Sequence, residues 1–182
     1  MKKNELRVQY KQKRKDLTNS QKKELELNIY QQVFNLEVKN IKNIHLFLSM
    51  KKFNEIDTTP IIKFFKGLDK KIIVSKCNFH DDSLTHYLLD KNTILELNKF
   101  GVPEPVNAKE INVKEIDLVF VPLLISDMKK YRVGYGKGFY DRFLATCKKE
   151  VKTIGINFFK PIDSIDDLNK YDIPLDKVIY PQ

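Results

Sequence analysis

The sequence of residues 117–125, DLVFVPLLI, restricts the possible fold classes more than any other segment, because it is apolar nearly throughout. A strand with one face in water alternates polar and apolar side chains. An almost continuous apolar run is typical of a strand that is covered on both faces in a mostly parallel sheet. Elsewhere, shorter apolar runs alternate with helical patterns, which is the arrangement of α/β proteins. We therefore predict a three-layer α/β fold with a mostly parallel central sheet flanked by helices.

The other elements follow from periodicity and turn chemistry. Thr18 and Gln21 form a capping-box pattern at the start of a helix. Thr59 and Pro60 predict the N-cap and first turn of a short helix, and Gly101–Pro105 predicts an extended or turning loop. Further helices are predicted over 3–16 and up to about residue 148, and further strands over 41–50, 71–75, 85–89, 93–97, 153–158 and 177–180.

Length and composition describe a globular chain. Its 182 residues are 42% hydrophobic and contain no linker or internal repeat, so we predict a single domain over residues 1–182. No run of about 18 apolar residues could span a membrane, and no apolar segment follows the basic start as in a secretory signal. Cys77 and Cys147 are too few for a disulfide framework or a zinc-type pair. The predicted compartment is the reducing cytoplasm.

The formal net charge of +9 requires an explanation. Residues 2–23 carry nine basic side chains against two acidic ones, Glu5 and Asp16. A solvated helix face accounts for this run. So does a site for anionic small molecules such as nucleotides or polyglutamates, and so does a nucleic-acid surface. Charge alone does not choose between the three.

The segment 132–142, RVGYGKGFYDR, carries the most information about function. Three of the chain's six glycines fall within five residues there, at 134, 136 and 138. They follow the apolar strand and lead into an apparent helix, where backbone N–H groups can surround a phosphate and the helix N-terminus adds partial positive charge. Lys137 and Arg132 could neutralise a triphosphate. Asp141 could hold a Mg²⁺ that bridges the phosphates.

The same glycines could serve only as a tight strand-to-helix turn with aromatic packing. Their spacing matches neither the dinucleotide pattern GxGxxG nor the P-loop pattern GxxxxGK[ST]. The flanking arginine, the internal lysine and the following aspartate favour phosphate binding over that structural alternative.

The stretch VPLLISDMKKYRVGYGKGFYDRFL resembles the signature of the 5-formyltetrahydrofolate cyclo-ligase family, also called methenyltetrahydrofolate synthetases. Three further stretches resemble that family in order and spacing: KNELR at 3–7, FLSM at 47–50 through EIDT at 55–58, and DKVI at 176–179. The resemblance spans nearly the whole chain.

The resemblance implies roles at the matching positions. ATP contacts are implied for Lys3, Asn4, Glu5, Leu6, Arg7, Arg132, Val133, Gly134, Tyr135, Gly136, Lys137, Gly138, Phe139 and Tyr140. Folate contacts are implied for Met50, Glu55, Tyr135, Gly136, Lys137, Gly138 and Phe139, and Mg²⁺ coordination for Asp141 and Asp176. Phe139 stands where tyrosine is common in the family, which leaves no hydroxyl at that position.

The implied reaction converts 5-formyltetrahydrofolate to 5,10-methenyltetrahydrofolate, with ATP as co-substrate and Mg²⁺ as cofactor. The protein has to align the γ-phosphate with the formyl oxygen and neutralise the developing charge. Lys137 and Arg132 are the predicted catalytic residues, and Glu55 is expected to accept from N–H donors of the pterin. We expect a monomer that binds ATP and a folate, which could be polyglutamylated, without a nucleic-acid or membrane partner.

Two other classes of function stay open. One is a nucleic-acid-binding protein that uses the basic N-terminal helix, and the other is a sugar-phosphate-binding relative without ATP chemistry. Lys3 and Arg7 could be surface charges, and Lys13, Arg14 and Lys15 are expected to be mostly solvated. The histidines show no metal spacing, and the one at position 45 is expected to pack in the core.

Overall fold

The computed structural model describes residues 1–99 and 101–182. The helices are α1 (Lys3–Lys15), α2 (Asn19–Phe34), α3 (Thr59–Gly67) and α4 (Phe139–Thr146). The strands are β1 (Asn43–His45), β2 (Lys71–Asn78), β3 (Ser83–Leu88), β4 (Ile94–Leu97), β5 (Pro103–Val106), β6 (Leu118–Pro122), β7 (Ile125–Ser126), β8 (Arg132–Val133), β9 (Lys152–Ile156) and β10 (Lys177–Ile179).

A six-stranded sheet in the order β10-β9-β6-β1-β2-β3 forms the centre of the fold. Its neighbouring strands are parallel except for β2 and β3, which are antiparallel. Two small antiparallel pairs, β4 with β5 and β7 with β8, lie outside it. The prediction of an α/β fold with a mostly parallel sheet is confirmed.

Alternate residues of the central strands pack on opposite faces of the sheet. On β6, Leu118 and Phe120 join an apolar cluster with residues of α2 and α3, whereas Val119 and Val121 join a cluster with Phe143 of α4. Helices therefore cover both faces, as the predicted three layers require. This double burial explains why the run at 117–125 shows no polar alternation.

Helix α1 packs against the segment that follows β6. Leu6 and Tyr10 join Leu124, Ile125 and Val133 in a third apolar cluster. The basic N-terminal helix is thereby fixed next to the chain that leads into the glycine-rich segment.

Helix α2 begins as predicted, with a capping box between Thr18 and Gln21. The predicted N-cap of α3 is wrong by one residue, because Thr59 is the first helical residue and Thr58 is the N-cap. The Thr58 hydroxyl donates to the Phe47 carbonyl at 2.8 Å. The carboxylate of Asp57 instead accepts from the Thr59 N–H at 2.9 Å.

Several predicted boundaries differ from the structure; the strand predicted over 71–75, for example, extends to Asn78. The strand predicted over 41–50 ends at His45, because the chain then turns out of the sheet and carries Met50 towards Glu55. The loop predicted at Gly101–Pro105 is extended as expected, but Pro103–Val106 pairs with β4. The two prolines occupy alternate positions, so their missing N–H groups face away from the partner strand.

Candidate active site

The candidate site lies at the point where the strand order reverses. From β1 the chain passes through α3 to β2 on one side, and from β6 it passes through α4 to β9 on the other. Ligands of open α/β sheets bind outside the carboxyl ends of the strands at such a point. The segment after β1 carries Met50 and Glu55, and the segment after β6 carries residues 134–138, which we name the Gly turn.

At two positions of the Gly turn, the backbone conformation favours glycine over other residues. Gly136 has φ of 102° and Gly138 has φ of 71°, values that strain residues with a Cβ. Gly138 is also the N-cap of α4. The turn therefore ends at the first N–H groups of a helix, which have no intrahelical acceptor and favour a bound anion.

Arg7 brings a positive charge to the Gly turn, as its predicted role requires. Its Nε donates to the Gly134 carbonyl oxygen at 3.0 Å, and a Cβ added to Gly136 would lie 3.2 Å from its guanidinium carbon. Its Nη1 donates to the Asn4 side-chain oxygen. Arg7 forms no ion pair with any described residue, so its charge is not neutralised.

Lys3 is arranged differently from Arg7. It is buried, and its Nζ donates to both carboxylate oxygens of Asp172 at 2.6 and 2.5 Å. Its backbone N–H donates to Asp167 at 2.7 Å. These contacts anchor the start of α1 to the segment at 167–172, and an ATP contact of Lys3 stays a prediction.

Lys137 is exposed within the Gly turn. Its carbonyl oxygen accepts from Arg142 Nη2 at 2.5 Å, whereas its Nζ has no polar partner among the described residues. The ammonium group can therefore reach a ligand without breaking a contact. Lys137 and Arg7 are two cations of the site whose charges no described carboxylate balances.

Arg132, the second predicted catalytic residue, is buried beneath the turn. Its Nη2 lies 2.8 Å from Asp141 Oδ1, and its Nη1 donates to the Ile173 carbonyl oxygen at 2.6 Å. Burial lowers the pKa of Arg132, while the charge of Asp141 opposes that shift. These bonds brace the Gly turn against the segment near Ile173, and a direct contact with phosphate stays a prediction.

The residues predicted to bind Mg²⁺ fit unequally. Magnesium keeps several waters and is held by one or two carboxylates together with substrate phosphates. Asp141 suits this because it lies partly exposed in the first turn of α4, beside the Gly turn. Its Oδ1 accepts from Arg132 and from the Ile173 N–H, which leaves Oδ2 for a cation.

Asp176 lies before β10 and has another task. Its Oδ2 accepts from the N–H and the hydroxyl of Thr153 at 2.7 and 2.8 Å, at the amino end of β9. No described residues form a cluster of three or more His, Cys, Asp or Glu side chains that could hold a metal. Coordination by Asp176 therefore stays a prediction without support from its contacts.

Arg14 is a site residue that the sequence analysis missed. The expectation that it is solvated is wrong, because only 4% of it is exposed. Its Nη2 donates to the Leu123 carbonyl oxygen at 2.5 Å and its Nη1 to the Tyr135 hydroxyl at 3.1 Å. Lys3, Leu6, Tyr10 and Arg14 are all buried and recur at helical spacing, so this stripe was the available signal.

Glu55 lies opposite Arg14 and is 3% exposed. Its Oε1 accepts from the Tyr135 hydroxyl at 2.6 Å and its Oε2 from the Met50 N–H at 2.7 Å. Burial raises the pKa of Glu55, and these two hydrogen bonds oppose the rise. The structure thus brings the predicted folate residues Met50, Glu55 and Tyr135 together.

A small cavity of about 10 Å³ lies between these groups. It is lined by Arg14, Phe47, Glu55, Ile56, Pro122, Leu123 and Ile156. This volume has room for about one water molecule, so a ring-sized ligand needs side chains to move. The cavity wall is largely apolar and carries one cation, Arg14, and one carboxylate, Glu55.

The other predicted ATP residues have varied positions. Leu6 and Val133 are fully buried, so their side chains serve the core. Glu5 accepts from the Lys2 N–H at 2.9 Å and caps α1. Phe139 contacts Phe79 edge to face, and Tyr140 packs near Phe143. Their predicted contacts with ATP stay predictions.

Three neighbouring strands each contribute one residue to a buried, hydrogen-bonded chain of polar side chains. The sequence analysis did not predict that these residues meet. His45 Nε2 lies 2.7 Å from the Ser75 hydroxyl, which lies 3.0 Å from His86 Nδ1. Burial lowers the pKa of His45 well below its ordinary value and that of His86 to about 4. The expectation that His45 packs in the core is confirmed.

Comparison with known proteins identifies the family. The sequence matches the 5-formyltetrahydrofolate cyclo-ligase family over residues 1–181. The chain belongs to this family. The cyclo-ligase of Mycoplasma genitalium is 31% identical over 97% of this chain and 96% of its own length. That of Haemophilus influenzae is 29% identical over 96% of this chain and 95% of its own length.

Solved structures of the cyclo-ligase family share the fold. The 5,10-methenyltetrahydrofolate synthetase of Mycoplasma pneumoniae aligns with a TM-score of 0.77 at 28% identity, covering 98% of both chains. The enzyme of Aquifex aeolicus aligns with a TM-score of 0.83 at 28% identity, covering 99% of this chain and 90% of the other. None of the described helices is long and apolar enough to cross a membrane.

Proposed function

We propose that this chain converts 5-formyltetrahydrofolate and ATP into 5,10-methenyltetrahydrofolate, ADP and phosphate. The observation that supports this best is the pairing of two different subsites at one switch point. The Gly turn with Arg7 and Lys137 suits a polyphosphate, and the Glu55 cavity suits a heterocycle with N–H donors. Two such subsites side by side are what a transfer between ATP and a folate requires.

The reaction has to remove a poor leaving group, the oxygen of the formyl group that is bonded to N5. Transfer of the γ-phosphoryl group to that oxygen releases ADP and turns the oxygen into a phosphate ester. N10 then attacks the formyl carbon, loses its proton and expels phosphate, which leaves the methenyl bridge. The protein contributes alignment and charge stabilisation, and no covalent nucleophile is needed.

The residues divide this work according to their places. Lys137 and Arg7 balance charge on the transferring phosphoryl group, and the helix N-terminus after Gly138 binds phosphate oxygens. Arg132 holds the turn in position through Asp141. Asp141 would hold Mg²⁺, which would supply neutralisation of the phosphate charge when bound.

We further propose that residues 1–182 act as one domain and as a monomer in the cytoplasm. Cys77 and Cys147 are both free thiols, which is consistent with a reducing compartment. A folate with several glutamates would find added attraction in the net charge of +9.

The test is turnover by the purified protein. Protein, 5-formyltetrahydrofolate, ATP and Mg²⁺ are mixed, and methenyl absorbance and released phosphate are followed together. We expect the two products in equal amounts, and neither without ATP or without a divalent metal. Equal methenyl formation in the absence of ATP would contradict the proposal.

A further inference from the structure

Arg14 is a buried cation with an incomplete set of partners. Its Nη atoms donate to the Leu123 carbonyl and the Tyr135 hydroxyl, but its Nε has no hydrogen-bond partner among the described residues. Among the described residues, no carboxylate forms an ion pair with Arg14. A buried donor without an acceptor is destabilising. Arg14 lines the Glu55 cavity together with Glu55 itself, so a ligand that enters the cavity meets both groups.

We propose that Arg14 is a substrate-recognition residue that donates to the carbonyl oxygen at position 4 of the pterin, while Glu55 accepts from the neighbouring ring N–H and amino group. The inference rests on the proposed function, because it states how the protein recognises the folate substrate of that function. A cyclic amide edge presents an acceptor beside donors. A guanidinium beside a carboxylate is the complementary set.

The hydroxyl of Tyr135 already makes both kinds of contact. Its oxygen accepts from Arg14 Nη1 at 3.1 Å, and its hydrogen goes to Glu55 Oε1 at 2.6 Å. It therefore stands where an amide edge of the ligand would make the same two contacts. Because the cavity has room for about one water, a pterin has to displace this hydroxyl as it enters.

A phosphate fits this cavity less well than a neutral ring. The Glu55 carboxylate would repel an anion at short range, and most of the lining is apolar. The unbalanced cations Arg7 and Lys137 offer phosphates a better place at the Gly turn. Arg14 is thus assigned to the folate and not to ATP.

The test compares folate, which has a 4-oxo group and a proton on N3, with 4-amino-4-deoxyfolate, which has a 4-amino group and no proton on N3. The comparison of variants isolates the share of the preference that depends on Arg14. Binding of each is measured by calorimetry to the wild type, Arg14→Met and the control Lys15→Met, which changes an exposed cation of the same helix turn. We expect the preference of the wild type for the 4-oxo ligand to fall on the order of 10–100-fold in Arg14→Met, the factor of one hydrogen bond from a charged donor. Lys15→Met should keep the wild-type preference.

A folded Arg14→Met protein with an unchanged ligand preference overturns the proposal. Tyr135→Phe gives a second test, should Arg14→Met fail to fold. It removes the competing hydroxyl, so we expect the 4-oxo ligand to bind several-fold more tightly, and no gain in affinity contradicts the proposal. Arg14-dependent preference in a protein without turnover would reject the proposed function alone, whereas turnover with no such preference would reject this inference alone.

Discussion

Arg7 Nε lies 3.0 Å from the carbonyl oxygen of Gly134, across 127 residues of sequence. This hydrogen bond joins the first helix of the chain to the turn that precedes α4. It sets a guanidinium beside Gly136, where only hydrogen could occupy the Cβ position without crowding it. The contact places a basic residue from the first helix beside the Gly turn, where we propose that phosphate binds.

Replacing Arg7 should weaken ATP binding. The charge of Arg7 is not balanced by a described carboxylate, so it is available to phosphate oxygens. We expect Arg7→Ala to raise the Kd for MgATP by roughly 10-fold or more, as for loss of one charged hydrogen bond. Lys15→Ala should stay within a few-fold at moderate salt, where exposed distant charges are screened. Calorimetric titration of both variants decides, and the reverse ranking would mean that the nucleotide binds elsewhere.

Lys137 should matter more for the chemical step than for binding. If its ammonium balances charge that grows during phosphoryl transfer, Lys137→Ala should lower kcat on the order of 10²–10³-fold. Its thermal melt should match the wild type, because an exposed side chain contributes little to stability. Lys137→Arg should recover only part of the rate, since a planar fork does not replace a compact ammonium. The exposed Lys149→Ala is the control, and a near-normal kcat for Lys137→Ala would leave the Gly turn with backbone contacts only.

Stability should fall in mild acid because of the buried histidines. His86 has a pKa of about 4 in the folded protein, against about 6.5 when unfolded. Between these values the unfolded state binds more protons, so the contribution of neutral His86 is present above about pH 6.5 and is lost as the pH falls towards 4. At about 1.4 kcal/mol per pH unit, the loss amounts to roughly 3 kcal/mol.

Urea unfolding between pH 7.5 and 4.5 measures this dependence. His86→Gln should be less stable than the wild type at pH 7.5, because ring packing on Phe143 is lost, but its stability should decline less with acid. The exposed His80→Gln should follow the wild-type curve. An unchanged slope for His86→Gln would show that other groups control the acid response.

Gly155 in β9 should not tolerate a methyl group. A Cβ there would lie 2.5 Å from Leu123 Cδ2 and 2.7 Å from Leu175 Cδ1, so both leucines would have to move. We expect Gly155→Ala to lower the free energy of unfolding by about 1–3 kcal/mol, as overpacking does. Gly67→Ala, at the end of α3 with no atom within 4 Å, should be neutral or stabilising by up to about 1 kcal/mol. Equal stability of the two variants in urea would contradict this account.

Local patterns predicted the parts of the fold that depend on neighbouring residues. The capping box at Thr18 is set by short-range chemistry. The burial of β6 on both faces depends on distant helices, but it leaves an unbroken apolar run within one segment, so it too was predictable. The approach of Arg7 to the Gly turn came from family resemblance, because nothing in local sequence links positions so far apart.

The missed parts depend on how elements pack. Arg14 belongs to a basic run in which Lys13 and Lys15 are exposed, so composition could not single it out. Its burial follows from the rotation of α1 that points Leu6 and Tyr10 inward. The hydrogen-bonded group of His45, Ser75 and His86 forms because β1, β2 and β3 are adjacent in the sheet. The order of strands in a sheet cannot be predicted from the sequence of any single segment.

The segment 166–176 contacts both α1 and the residues that flank the Gly turn, the two elements of the proposed nucleotide subsite. Asp172 holds Lys3 on α1, and the Ile173 backbone holds Arg132 and Asp141 beneath the Gly turn. The conformational entropy of positioning these two elements is therefore lost when the chain folds and not when a ligand arrives. If the segment 166–176 were loosened, that entropic cost would fall on the binding step. A substitution in this segment, which does not contact ATP, could therefore still weaken the affinity of the protein for ATP.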